Sequence, residues 1–350
     1  MKDAQTIQSG IRSSDSLPVQ WNFSPEVPLR VSPLFEWPLS AKKIIHWFWR
    51  SWFPLSEKLI LVAAAFVSWH FLQPPLEQSQ TVGIQWVALM WLRNLALMTI
   101  VAGGLHLYFY VRKAQGDKYR YDSKEFGKGR PFTFKNQVWD NMFWTLASGV
   151  TVWTGYEALL IWGFSNGYLD IMGFWQNPLW FVAIFFLIPI WESFYFYLIH
   201  RWLHWKPLYK MAHHVHHRNS NVGPWSGLSM HPIEHLLFLG SVLIHWIIVS
   251  HPVHVLYHLQ YFALTAATTH CGHQAIRKGD TEVVRLGTFH HQMHHRFIHC
   301  NYGGLEFPWD RFKGTFHDGT ASSHRKLKEH MREKANQLRR KKKKSLKTGG

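Results

Sequence analysis

His200-Arg-Trp-Leu-His204, His213-His-Val-His216-His217, His270-Cys-Gly-His273 and His291-Gln-Met-His294-His295 are the segments on which the reading of this chain turns. Nineteen of the 25 histidines fall between His200 and His299, so the enrichment is local and ordered. On a helix, residues three and four apart share a face, and each segment therefore aims two or three imidazoles at one point. Neutral imidazole keeps a free ring nitrogen and is the commonest protein metal ligand near neutral pH. A structural zinc site closes with four ligands, usually including Cys. Here His200, His204, His213, His216, His217, His270, His273, His291, His294 and His295 stand at matched spacings, with no carboxylate or thiol placed comparably. Such a set suits two metal ions with about five ligands each. The surplus over a structural site points to catalysis with room for a small reactant.

Working outward, the flanking sequence is strongly apolar. Residues 59–72, 84–111, 138–164 and 179–199 form long apolar stretches, the last three close to or beyond the ~20 residues a helix needs to cross the hydrocarbon layer. We expect an all-α integral membrane protein with four transmembrane helices in two hairpins, capped by a histidine-rich helical region. A further apolar pair, 236–249 and 253–269, is broken by Ser250-His251-Pro252; each half is short for a span, which suggests a re-entrant helical hairpin. The 73–83 and 165–178 loops hold only Glu77 and Asp170 as charged residues, whereas 112–135 carries eight basic and three acidic ones. Positive charge collects on the cytosolic side, which puts both termini and the histidine clusters there. The division that follows is an N-terminal arm over 1–57, polar and Pro-rich with no signal-peptide pattern, a membrane-embedded domain over 58–320, and a basic tail over 321–350.

The formal charge of +17 is concentrated: from Arg325 to Lys347 there are twelve basic residues against Glu329 and Glu333. With no nucleic-acid-binding motif beside it, this tail reads as a solvated helix or a contact for anionic headgroups rather than a nucleic-acid site. Aromatic residues make up 16% of the chain, as expected where rings line membrane interfaces. Cys271 and Cys300 form no CxxC pair, so no disulfide framework is expected, and they read as small packing residues.

Other polar residues qualify the site. Glu192 lies inside the fourth stretch, where a carboxylate is costly unless partnered; it either supports a ligand or lines a polar cavity. His231 and His235, in Met-His-Pro-Ile-Glu-His, either orient ligand imidazoles or sit at the membrane interface. Asp310 and Arg311 read as a bracing ion pair or a surface one. His214 and His290 point off the shared faces, and His245, His251, His254 and His258 read as structural or cavity-lining. Neutral ligands beside lipid, without a nucleophile triad or phosphate loop, argue against hydrolysis; nitrogen-rich coordination suits iron, which can use O₂ on an unactivated C–H bond.

The series HxxxH (200–204), HxxHH (213–217), His-Pro-Ile-Glu (231–234), His-x-Gly (270–272), HxxHH (291–295), Asn301-Tyr302-Gly303 and Trp309-Asp310-Arg311 with Gly314-Thr315-Phe316 resembles the sterol desaturase and fatty acid hydroxylase superfamily over roughly 180–320, its ending most like the sterol desaturase branch. The resemblance implies a membrane oxidoreductase with two iron ions that hydroxylates or desaturates a sterol or fatty acyl lipid. It would use O₂ and electrons from an external carrier of the cytochrome b5 or ferredoxin type, since no His-Pro-Gly-Gly haem signature is present. Carried over, the ten histidines above are the ligands, with Glu192, His231 and His235 as supporting catalytic candidates; His270 and His273 match a cluster that varies in the family. The reading of a different class is a metal-handling membrane protein, a zinc or iron transporter, which should carry polar residues through the middle of its spans, whereas these stretches read as almost purely apolar.

Overall fold

The structure is a computed structural model, and it describes residues 21–53 and 55–348. It is mostly helical. Helix α1 (Ala41–Trp52) and α2 (Glu57–Phe71) each start at a serine, Ser40 and Ser56, whose hydroxyl accepts the backbone N–H of Lys43 and Leu59, satisfying donors that a helix start leaves open. Helices α3 (Ile84–Val111), α4 (137–165) and α5 (Pro178–Leu203) follow. Asn136 and Asn177 cap α4 and α5 in the same way, and Pro178 suits the first helical position, where no N–H is needed. Two of these helices, α3 and α5, are long and apolar enough to cross a membrane; α1 and α2 form a further candidate as one span bent by 54°.

The four-span expectation is met only in part. Helix α4 is continuous and long enough, but Trp, Gly and Thr residues with Glu157 dilute its apolar character. The spans are also less purely apolar than the sequence suggests. Arg93 and Asn94 of α3 face Glu157 of α4 in a buried network: Arg93 pairs with the Glu157 carboxylate, Asn94 Nδ2 donates to Glu157 Oε2 (2.9 Å) and to Thr154 Oγ1 (3.1 Å), and Arg93 Nη1 donates to Gln73 (2.8 Å). Every polar atom finds a partner, so the helices are locked together rather than opened as a pathway.

Beyond α5 come a helical stretch over 206–217 (α6), α7 (Pro232–Leu239), a 3₁₀ segment (Gly240–Trp246) and α8 (Pro252–Thr269). Pro252 to Thr268 are all buried, and α8 packs on α2, α4 and α5. The second half of the expected re-entrant hairpin is thus the central core helix, surrounded by protein. Its close packing depends on Gly227: a Cβ there would sit 1.9 Å from the Ala266 carbonyl oxygen. An antiparallel hairpin, β1 (Ala275–Lys278) and β2 (Thr281–Arg285), departs from the all-α expectation. Helix α9 (Phe289–Phe297) then carries the last histidine cluster, and α10 (Ala321–Thr348) the basic tail. The described part of the N-terminal arm is pinned down, Leu29 N–H donating to Asp318 O (2.8 Å) and Ser32 N–H to Leu305 O (3.0 Å).

Removing one partner of a buried ion pair strands the other charge at a cost of about 3–5 kcal/mol, whereas replacing both by apolar residues is often neutral. Glu157→Leu is therefore expected to lower the thermal stability of the detergent-solubilised protein markedly, and Arg93→Met/Glu157→Leu to recover most of the loss. A melting curve for the single variant matching the unsubstituted protein would show that the pair does not brace α3 on α4.

Candidate metal centre

His200 occupies the last turn of α5 and His204 ends it, its N–H donating to His200 O (3.0 Å). Residues 213–217 continue as helix in α6, so His213 and His217 share a face while His216 is turned beside them. On α9, capped by the Thr288 hydroxyl on His291 N–H, the HxxHH spacing again gathers three rings. His270 stands just past the end of α8. These elements bring nine of the ten expected ligands into two groups, His200, His204, His213, His217 and His294 in one, and His216, His270, His291 and His295 in the other. Within each group, one ring nitrogen per residue lies within 4.8 Å of all the others. The groups adjoin, with the His217 and His295 rings stacked at 4.9 Å.

The protonation pattern says what these groups can hold. The Nδ1 atoms face outward onto acceptors: His200 onto Tyr302 O (2.6 Å), His213 onto Glu234 Oε1 (2.7 Å), His270 onto Ala266 O (2.8 Å), His294 onto Cys300 O (2.6 Å) and His295 onto Asn219 O (3.1 Å). A carbonyl or carboxylate oxygen only accepts, so each of these Nδ1 atoms carries the ring's hydrogen, and a neutral imidazole has one. The inward Nε2 atoms are then bare lone pairs. Yet His270 Nε2 and His295 Nε2 are 3.0 Å apart. Bare nitrogens at that separation repel unless a cation lies among them. Burial and the neighbouring rings hold His213, His216, His217, His291 and His295 well below the ordinary histidine range and lower His294 to about 3, while burial alone lowers His270 to about 4. The rings are neutral at physiological pH, the form that binds metal.

The remaining expected site residues lie elsewhere. His273 joins neither group; its ring stacks on Phe109 at 4.1 Å and Nδ1 faces Cys271 O (3.2 Å). The reason is local: Gly272, at φ +71°, turns the chain immediately after α8, so helical spacing no longer applies. His231 caps α7, accepting Ile233 N–H. His235 is buried with both nitrogens engaged, Nε2–H donating to Leu228 O (2.9 Å) and Nδ1 accepting from the Ser148 hydroxyl (2.9 Å). The carboxylate that holds His213 is Glu234, between them. Glu192 lies on the wall of an open cavity of about 1610 Å³. Phe196, Leu203, Phe238 and Phe262 also line this cavity, and it ends on His200, His213, His216, His270 and His291. Asp310 braces the site without Arg311: its carboxylate accepts Tyr302 N–H (2.9 Å), Gly303 N–H (2.7 Å) and the Thr315 hydroxyl (2.6 Å), fixing the carbonyl that orients His200. Both thiols, Cys271 and Cys300, are buried and lie outside the groups.

Residues 184–315 match the fatty acid hydroxylase family model, and the two histidine groups fall inside that range. The chain is similar to a Delta(7)-sterol 5(6)-desaturase of Eremothecium gossypii, 30% identical over 160 residues, covering 45% of this chain and 44% of that one. In this region the chain is similar to the sterol desaturase and fatty acid hydroxylase superfamily. It is similar also to the Delta(7)-sterol 5(6)-desaturase of Saccharomyces cerevisiae, 32% identical over 120 residues (34% of this chain, 32% of that one), and to the lathosterol oxidase of Homo sapiens, 33% identical over 128 residues (35% and 41%). The chain spans less than half the length of each of these three relatives. No solved structure matches the chain.

Elemental analysis of the purified protein provides the check on this centre. His294→Ala and His270→Ala are each expected to lower bound metal, one in each group. Glu234→Ala, which releases His213, is expected to weaken metal affinity about 10–100-fold, and His273→Ala to leave the metal content of folded protein unchanged. Loss of metal in the His273 variant would restore that residue to the ligand set.

Proposed function

We propose that this protein is an O₂-dependent membrane oxidoreductase that hydroxylates or desaturates a lipid of the sterol or fatty acyl type, using two iron ions and electrons from an external carrier of the cytochrome b5 or ferredoxin type. The observation that carries the reading is the pairing of two nitrogen-only groups, each with bare Nε2 atoms turned inward, beside an open cavity that Phe196, Leu203, Phe238 and Phe262 help to line. Hydrolytic two-metal sites are built with bridging carboxylates that tune a metal-bound water; here the one carboxylate at hydrogen-bond distance, Glu234, reaches the group only through the far nitrogen of His213. Iron held by the two groups would supply O₂ activation for removing hydrogen from an unactivated C–H bond.

The chain's own residues would do the rest. Phe196, Leu203, Phe238 and Phe262 bind the hydrocarbon and exclude water, and the rings of His200, His213, His216, His270 and His291 mark the position at which a C–H bond is presented. Glu234 and the carbonyls of Tyr302, Ala266, Cys300 and Asn219 hold the ring hydrogens at Nδ1 and so keep every facing Nε2 available. Hydroxylation and desaturation share this centre and differ in where the cavity holds the second carbon. In the same reading, four spans hold the 58–320 domain in the membrane, with the histidine groups and both termini on the cytosolic face. The Delta(7)-sterol desaturase and lathosterol oxidase names of the relatives favour a sterol as the first substrate to try.

The lipids of cells with and without the protein, compared by mass spectrometry, are the test. A new species heavier by one oxygen is expected for hydroxylation and one lighter by two hydrogens for desaturation, each lost in His294→Ala. Absence of both, together with weakly held, exchangeable zinc, would favour the metal-handling reading instead.

A further inference from the structure

Glu192, Phe196, Ile199, His200 and Leu203 of α5 all line the cavity, and their spacing of three and four places them along one face of the helix. That face runs from a carboxyl group, past apolar side chains, to a ring of the first histidine group, with Glu192 and His200 about 12 Å apart along the axis. Glu57 and Lys58 of α2, and Glu306, line the same cavity. Two of the three carboxylates are engaged: Glu57 accepts the Thr268 hydroxyl, and Glu306 pairs with Lys58 at 3.3 Å. A Cβ on Gly304 would meet Ser193 Oγ at 2.6 Å and Glu306 Oε2 at 3.4 Å, which sets that ion pair beside the residue next to Glu192. Glu192 itself, half-buried on the cavity wall, has no hydrogen-bond or ion-pair partner among the described residues. A carboxyl group withdrawn from bulk water is costly without one; the cavity is the direction from which a partner can come. Helix α1, whose Lys43, Trp47 and Arg50 also line the cavity, exposes Ile45 and Trp49 beside Lys42. Such a mixed face suits a helix lying in the membrane interface, where the polar heads of lipids lie.

We propose that Glu192 binds the free hydroxyl group of the lipid substrate and thereby fixes which end of the lipid faces away from the histidine groups. The inference rests on the lipid-oxidoreductase reading and adds to it the head group that the cavity accepts and the residue that selects it. A lipid alcohol donates its O–H to the Glu192 carboxyl and lays its hydrocarbon along Phe196 and Leu203. A carbon several bonds from the hydroxyl then stands beside His200, while the carbon that bears the hydroxyl stays at the far end and is left unchanged. Charged heads meet a like charge in this part of the wall. A carboxylate or phosphate head would add an anion to Glu57, Glu192 and Glu306 with Lys58 already taken by Glu306, and an ammonium head would be set against Lys58. Repulsion of that kind selects between lipids as effectively as attraction does. A neutral O–H donor meets neither penalty and supplies the one partner that Glu192 lacks.

Lipid binding to the metal-loaded protein in detergent, measured without turnover, provides the test. The probes are a Delta(7)-sterol and octadecanol, each compared with its methyl ether, which keeps the hydrocarbon and lacks the O–H. In the tighter-binding pair the alcohol is expected to bind about 10–100-fold more tightly than the ether, the range for one hydrogen bond to a charged group. Glu192→Leu is expected to abolish this difference by weakening the alcohol alone, and Glu192→Gln, which keeps an acceptor oxygen, to retain most of it. Metal content stays as in the unsubstituted protein, and the melting temperature of Glu192→Leu is not lowered, because the change removes a carboxyl group that has no protein partner. An alcohol that binds no better than its ether, or a preference that survives Glu192→Leu, would overturn the proposal. So would a lowered melting temperature, which would make Glu192 a brace, or tighter binding of octadecylamine or octadecanoate than of octadecanol. Because binding is read without turnover, an alcohol preference that depends on Glu192 stands even if no lipid is oxidised, and in that case the oxidoreductase reading alone fails.

Discussion

The arrangement of this protein turns on where five ring hydrogens are placed. By accepting from Nδ1 of His200, His213, His270, His294 and His295, four backbone carbonyls and one carboxylate leave every opposite nitrogen bare. Bare nitrogens 3.0 Å apart, as in His270 and His295, are a poor arrangement for a protein interior and a good one for a cation. Much of the rest of the fold supports those acceptors. Asp310 fixes the Tyr302 peptide, Gly227 admits the chain against the very carbonyl, Ala266 O, that holds His270, and α7 presents Glu234 from its first turn. The helices supply the complementary half, an open cavity in whose lining Phe196, Leu203, Phe238 and Phe262 stand beside five of the rings.

How much of this was legible in the sequence follows from what a letter encodes. Clusters at helical spacing were readable because a side chain's direction on a helix is a function of its number, and nine of ten rings gather as the spacing implies. His273 failed where the periodicity failed, at the Gly272 turn. The outward partners were mostly invisible because a carbonyl is present at every residue and belongs to none in particular; Cys300, chosen as a packing thiol, contributes its backbone oxygen instead. Glu234 does carry a visible signal, a carboxylate in the first turn of a short helix between two histidines. Hydropathy similarly averaged away Arg93, Asn94 and Glu157, whose cost is removed by one another and not by their neighbours in sequence. The β1–β2 hairpin lay in a stretch too short and too mixed in charge to stand out from a loop.

His216 and His217 are adjacent in the chain, yet each belongs to a different group. His294 and His295 of α9 are divided in the same way, so the distance between the two groups is held by two peptide units, one in α6 and one in α9, among the stiffest spacers a polypeptide offers. A centre built in this way has a fixed gauge: bending of the surrounding helices can change how the groups are approached, but hardly how far apart they are. An insertion or deletion within 213–217 or 291–295 would misalign both groups together.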